Sequence, residues 1–198
     1  MRVVTTRTSS HLVEGAVRAA ALQILTQDGP EGFTVRAVAQ RAGVAPMAIY
    51  NHFHGKNGLI DRIFAEGFAD LHRAMDIDLD DPVDTLRASG HAYRRFALEH
   101  RGHYLVMFLH HFEGFEPSME SAELAARAYG RLVDIISRCV DTGAFEPLDP
   151  RRTAQLVWAM VHGYVALEMN HQMFADDAEK TFEQMLDTMM AGLAHSLR

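Results

Sequence analysis

The sequence predicts an all-α protein, with a small helical domain at residues 1–56 and a larger helical bundle at 57–198. Three observations predict it. Apolar residues recur every three or four positions almost throughout, the period of a buried helical face, and nowhere alternate over the length of a strand. Asp28-Gly29-Pro30, Ala42-Gly43-Val44, Asp81-Pro82, residues 113–117, Gly143 and Asp149-Pro150 interrupt that pattern with helix stops and starts. A chain of 198 residues that is 48% hydrophobic also buries a sizeable core.

Taken in order, Leu12, Ala16, Ala20 and Ile24, beside Val13, Val17, Ala21 and Leu25, form the stripe of a first helix that stops before Asp28. Thr34 then stands where an N-cap hydroxyl satisfies the first free N–H groups, and Val35, Val38, Ala39 and Ala42 repeat at helical spacing. Gly43 tolerates positive φ and turns the chain sharply into a second short helix over 45–53. There Ile49 and Phe53, four apart, face inward, which turns Met47, Ala48, Tyr50, Asn51 and His52 to other faces. Two short helices around a Gly-centred turn are the pattern of a helix-turn-helix reader of DNA, and small, aromatic and hydrogen-bonding side chains suit a major groove.

A helix from Lys56 through Leu59, Ile60, Ile63, Phe64, Phe68 and Leu71 connects this domain to the rest. Residues 76–82 read as a linker, Asp81 capping and Pro82 opening the next helix. Helices over 83–100 and 102–112 follow. Ala122, Ala126, Tyr129, Val133, Ile136 and Val140 mark the face of another helix, and Val157, Val161, Tyr164 and Val165 that of a helix capped by Asp149. In the last helix Phe182, Met185, Leu186, Met189, Met190, Leu193 and Leu197 exceed what one intramolecular contact needs, so part of this face is expected to meet a second copy of the chain.

The net charge of −7 has the wrong sign for a nucleic-acid binder, but its distribution does not. Residues 1–56 hold Arg2, Arg7, Arg18, Arg36, Arg41 and Lys56 against Glu14, Asp28 and Glu31, a balance of +3 that leaves −10 for the remainder. Such a chain repels DNA except through its N-terminal part.

The order Phe-Thr-Val-Arg at 33–36, Ala-Gly-Val at 42–44, Ile-Tyr-Asn-His-Phe at 49–53 and a lysine at 56, behind an amphipathic helix, resembles the DNA-binding domain of the TetR family of transcriptional regulators. The likeness covers about the first third of the chain. Downstream, Trp158-Ala-Met-Val-His162-Gly163, after a Tyr93 to His100 run, resembles the C-terminal domain named for its Trp-His-Gly motif in one TetR branch. The resemblance implies a homodimeric repressor whose larger domain binds a small-molecule effector; two heads on such a dimer are expected to meet a near-palindromic operator, and the lack of a membrane-length apolar stretch or secretory signal makes a cytoplasmic protein the expectation.

Roles follow residue by residue. By resemblance Thr34 and Arg36 open the first helix of the motif where family members touch phosphate or a base edge. Tyr50 and His52 can donate to phosphates. Lys56 occupies the family's phosphate-contact position, and the chain's other lysine is Lys180. Met47, Ala48 and Asn51 are the expected base readers, through methyl contact and a side-chain amide. Pro46, Met47 and Ala48 offer no hydrogen-bonding side chain, so specificity leans on Arg36, Asn51 and DNA shape. For the effector, Tyr93, Phe96, Tyr104, Met107, Phe108, Phe112, Trp158 and His162 supply apolar walls with a few polar tips, the composition of a small-molecule cavity and equally of a core. Trp158 and His162, spaced i, i+4, are the leading pair.

Other classes are weaker. Twelve histidines, with His100, His103, Met107, His110 and His111 partly sharing one helical face, suggest a metal-responsive regulator. No compact His/Cys/carboxylate set supports it, and no metal is assigned. An enzyme, or a helical small-molecule binder without a DNA role, is the remaining alternative. Gly55-Lys56-Asn57 lacks the upstream glycine of a phosphate loop, no Gly-x-Ser-x-Gly is present, and no cofactor signature appears. The single cysteine, Cys139, has no partner in its chain and fits a reducing compartment. No stretch has the apolar length of a membrane span, and the N-terminus lacks the apolar segment of a secretory signal.

Overall fold

The computed structural model describes residues 6–194, and side chains from Ser10 onward. Arg2, the Arg7 side chain and Leu197 lie outside the described residues. Among those described, every regular element is helical: α1 Thr6–Gln27, α2 Gly29–Gly32, α3 Val35–Ala42, α4 Pro46–Phe53, α5 Lys56–Met75, α6 Pro82–Glu99, α7 Arg101–Tyr104, α8 Met119–Asp141, α9 Pro150–Met169 and α10 Ala178–Ala194, with a π-helical turn at Leu105–Leu109. No described helix is long and apolar enough to cross a membrane.

The chain forms two compact units, residues 1–68 with 100–122, and 69–99 with 123–198. Their limits do not coincide with the boundary at residue 56, because α7 and the π turn pack on α1. In the first unit Val17, Ala20, Ala21, Ile24 and Leu25 of α1 meet Val38 and Ala39 of α3, Ile49 and Phe53 of α4, and Leu59, Ile60 and Ile63 of α5. Leu12 and Ala16, expected on the buried stripe of α1, are exposed, since packing partners cover only its C-terminal half.

The expected helix over 102–112 is broken into α7 and the π turn. Gly102 lets α7 close on α1, for a Cβ there would lie 3.0 Å from Leu22 and 3.1 Å from Thr26 Oγ1. The wider π turn then buries three consecutive residues, Leu105, Val106 and Met107, which a regular amphipathic helix turns to different faces. His110 ends it, its N–H donating to Leu105 O at 2.7 Å.

In the second unit the linker is held to α8. Arg131 donates to Ile77 O and Arg138 to Asp78, and Arg138 also donates to Leu79 O at 3.2 Å. Asp81 caps α6, accepting from Val83 N at 2.7 Å and Asp84 N at 3.1 Å. Asp149 does the same for α9 through Arg151 N and Arg152 N. Arg94 of α6 grips Glu168 of α9 in a bidentate pair at 2.8 and 2.6 Å and lies over the Phe182 ring of α10 at 5.4 Å.

The buried face of α8 differs from expectation. The buried side of α8 is Ala128, Leu132, Ile135, Ile136 and Cys139; Ala122 and Ala126 are exposed and Tyr129, Val133 and Val140 half-buried. Both sides of this helix carry apolar residues, so periodicity alone does not choose between them. On α10, Phe182, Leu186, Met189 and Met190 are buried within the unit, leaving Met185 and Leu193 half-buried. The larger uncovered apolar row is on α9, where Leu156, Met160 and Leu167 are exposed along one side.

Candidate DNA-binding surface and effector site

The DNA-facing candidates sit on α3, α4 and the start of α5. Thr34 Oγ1 accepts from Ala37 N at 3.1 Å, an N-cap that fixes where α3 begins and leaves Arg36 exposed on its first turn. Gly43 adopts φ 69°, and Val44 N donates to Ala39 O at 3.0 Å, so the chain leaves α3 in one tight turn. Pro46 opens α4 in the extended-to-helical register that Ala45 sets. Burial of Ile49 and Phe53 then rotates the rest of α4 outward: Met47 is 63% and Tyr50 52% exposed, Asn51 is exposed, and Ala48 and His52 are half-buried.

Past α4, His54 and Gly55 take positive φ values of 59° and 101°, and a Cβ on Gly55 would lie 3.4 Å from the Tyr50 ring. This turn brings Lys56 back beside the motif. Its Nζ stands 5.8 Å over the Phe33 ring, a cation–π contact that holds the ammonium while leaving the residue exposed. Arg41, by contrast, is committed to Gln27 at 2.8 Å and Asp28 at 3.3 Å.

Glu14, which no motif in the sequence marks, also belongs to this surface. Its Oε1 lies 3.2 Å from His52 Nδ1 and accepts from Ser10 Oγ at 3.2 Å, tying α4 to α1. A carboxylate in an otherwise cationic N-terminal segment was the available signal.

The effector candidates fall into two groups. In the second unit, Trp158 Nε1 donates to Tyr93 Oη at 3.3 Å, Tyr93 Oη lies 3.1 Å from His162 Nδ1, and the indole and imidazole centroids are 5.6 Å apart. Burial pushes the His162 imidazole below its ordinary 6.5, favouring the neutral ring. Tyr129 of α8, which sequence reasoning placed only on an apolar stripe, packs edge-on against Trp158 at 6.2 Å. Phe96 is buried one turn along α6 from Tyr93, and Ser89 Oγ, one turn before it, is buried without a hydrogen-bond partner. Tyr104, Met107, Phe108 and Phe112 belong to the first unit. Phe108 packs on Tyr104 at 5.0 Å and Phe68 at 5.2 Å, Phe112 on Phe33 at 6.0 Å, and Met107 lies under Gly67.

A separate open groove of about 560 Å³ lies between α5 and α8, lined by His72, Glu123, Ala126, Arg127, Gly130, Arg131 and Asp134. None of the sequence-derived candidates lines it. Among the described residues no three His, Cys, Asp or Glu side chains are gathered to hold a metal ion. Burial raises the Cys139 thiol to about 11, which leaves it protonated and unreactive near neutral pH.

Known proteins match this arrangement. Residues 17–63 match the family described as bacterial regulatory proteins, tetR family, and residues 86–189 the tetracyclin repressor-like C-terminal domain, over half of the chain. The narrower likeness to the Trp-His-Gly branch rests on the Trp158 to Gly163 stretch and the Tyr93 to His100 run before it, and neither matched family carries that description. The HTH-type transcriptional regulator Rv1816 of Mycobacterium tuberculosis is 24% identical, covering 98% of this chain and 97% of its own. A solved protein of unknown function from Rhodococcus sp. RHA1 superposes with a TM-score of 0.79 at 26% identity, over 92% of this chain and 96% of that one. The structure of AibR in complex with isovaleryl coenzyme A and operator DNA shares the fold, with a TM-score of 0.66 at 23% identity over 91% and 97% of the two chains.

Proposed function

This chain belongs to the TetR family of transcriptional regulators, and on that premise we propose that it is a homodimeric repressor released from its operator by a small molecule. It is a DNA-binding regulator and not an enzyme. Residues 1–56 are the proposed DNA-binding domain and 57–198 the ligand-binding and dimerisation domain.

The observation that carries the reading is the outward face of α4. Ile49 and Phe53 lock that helix into the core, so Met47, Ala48 and Asn51 are offered to base edges while Tyr50, His52 and Lys56 border them as phosphate partners, and Thr34, the cap of α3, and Arg36 on its first turn are offered to phosphate or a base edge. Thr34 spends its hydroxyl oxygen on the α3 cap but keeps its O–H to donate. Two such heads on a twofold dimer meet successive major grooves of a near-palindromic duplex, and the spacing of the heads sets affinity.

The effector site proposed is built on Tyr93, Trp158 and His162 with Phe96, all in the second unit, whereas Tyr104, Met107, Phe108 and Phe112 pack within the first. An apolar, aromatic or amphipathic ligand suits such a lining. A protein of the same fold described with both isovaleryl coenzyme A and operator DNA supports a ligand-responsive mode. A ligand that prefers the conformation with the wrong head spacing weakens operator binding by its differential affinity for the two states. The exposed row of α9 residues Leu156, Met160 and Leu167 supplies apolar surface for the dimer contact.

Calorimetric titration of acyl-coenzyme A compounds into the protein, with and without operator duplex, tests the mechanism. Linkage is reciprocal, so an effector binds the free protein more tightly than the complex by the factor with which it weakens operator binding. A compound that binds both forms equally is a passive occupant and not the effector.

A further inference from the structure

Glu14 fixes which hydrogen-bonding form of His52 is available to DNA. Its Oε1 accepts the Ser10 hydroxyl at 3.2 Å and lies 3.2 Å from His52 Nδ1, with Ser10 Oγ itself 3.5 Å from that nitrogen. An ionised carboxylate only accepts hydrogen bonds, so the shared hydrogen is on Nδ1. A neutral imidazole carries one N–H, and with that hydrogen on Nδ1 the other nitrogen, Nε2, is a bare lone pair. A phosphate oxygen also only accepts. A neutral His52 ring set between Glu14 and a phosphate therefore turns a lone pair toward an anion, whereas the imidazolium donates to both.

We propose that Glu14 is a positioning residue that couples operator binding to proton uptake: when α4 docks, His52 is held between the Glu14 carboxylate and a backbone phosphate as the doubly protonated ring. This rests on the reading of α4 as the DNA-facing helix. The proton comes from solvent and returns to it on dissociation, and the ring's single positive charge sits between two negative partners. Other groups around the ring do not supply that balance. On α1, His11 Nδ1 is 4.0 Å from the other Glu14 oxygen, and Arg18 is paired with Glu66. On α3, Arg41 is engaged by Asp28 and Gln27, and Arg36 is exposed on the first turn. Along α4 and beyond, the neighbours are Tyr50, the Phe53 ring at 6.5 Å, exposed His54, and Lys56 over Phe33. Among the described residues the carboxylate within 4.0 Å of the His52 ring is that of Glu14.

The sign follows from linkage. The DNA complex holds more protons than the free protein, so affinity rises as pH falls and drops as pH rises. Where the free ring is already neutral, the loss is about tenfold per pH unit for each head that takes up one proton. Once the free ring is itself protonated, the dependence flattens.

The test is calorimetry of the full chain with an operator duplex at mildly alkaline pH, in buffers of differing ionisation enthalpy. The slope of heat against that enthalpy counts protons, and about one per bound head is expected. Glu14→Gln should abolish the uptake with the fold intact by circular dichroism, because an amide can turn its NH2 to Nδ1 and leave a neutral ring with Nε2–H for the phosphate. His52→Gln should abolish it as well, while His11→Asn and His54→Asn should leave it unchanged. Operator binding with the same heat in every buffer, or uptake that persists in either Glu14→Gln or His52→Gln, overturns the proposal and leaves the DNA-binding reading standing. Failure to bind any duplex at any pH overturns both.

Discussion

The Trp158 indole N–H donates to the Tyr93 hydroxyl at 3.3 Å, which joins α9 to α6 at the residue that also meets His162 Nδ1 at 3.1 Å. Because an indole N–H can only donate, Tyr93 Oη must accept here, and one phenol oxygen serves both the indole and the imidazole. Tyr93→Phe removes this shared partner while keeping the ring. It should lower unfolding free energy by about 1 kcal/mol, read by chemical denaturation, and weaken effector binding with operator affinity of the unliganded protein near wild type. If operator affinity falls together with stability, the three residues are core and not a ligand site.

Two histidines make stability depend on pH. Burial lowers His162, and burial first, with Arg101 nearby as a smaller contribution, lowers His110 below the ordinary 6.5. The unfolded chain then binds the proton at a higher pH than the folded chain. Their contribution is present above about 6.5 and is lost as pH falls through the folded-state values. The denaturation midpoint should drop on acidification from neutral pH. His162→Gln with His110→Gln should flatten that slope, and an unchanged slope in the double variant would contradict the assignment.

Arg94 and Glu168, whose side chains are only 16% and 15% exposed, form the most enclosed ion pair described. Hydrogen bonding to Glu168 holds the Arg94 guanidinium above its ordinary range. Arg94→Ala strands a carboxylate in the α6–α9 contact and should cost about 3–5 kcal/mol. Arg94→Met combined with Glu168→Leu removes both charges and should recover most of that loss. Urea denaturation of the single and double variants decides between a net charge contribution and simple packing.

The exposed row of α9 should carry self-association. Met160→Glu places a charge among Leu156, Met160 and Leu167 and is expected to shift the dimer toward monomer in sedimentation equilibrium. A similar change at half-buried Leu193 of α10 should act more weakly. Unchanged mass for Met160→Glu with an intact fold would exclude this row as a self-association surface.

Much of the fold was legible because helix boundaries are local chemistry. Thr34, Asp81 and Asp149 cap where a side-chain oxygen precedes an apolar period, and Gly43 turns where positive φ is needed. What sequence could not settle was rotation about a helix axis when both sides are apolar. That is why the buried face of α8 falls on Leu132, Ile135 and Cys139 and why the uncovered row appears on α9. The π turn was equally invisible, since it arises from close packing at Gly102 and Gly67. At the candidate site the DNA-facing list could be read from one contiguous stretch, residues 34–56, but the Glu14–His52 tie spans 38 residues and leaves no local pattern.

Selection of duplexes from a random pool, followed by binding titration of the selected site, measures most directly whether α4 reads DNA. The wild-type protein should enrich a near-palindromic site with half-sites about 10 base pairs apart or a multiple of that. Lys56→Ala should weaken binding by a similar factor across operator variants, whereas Asn51→Ala should cost about 1–3 kcal/mol at the position it reads and relax preference there. An unstructured pool after selection, or Asn51→Ala and Lys56→Ala altering sequence preference alike, would contradict it.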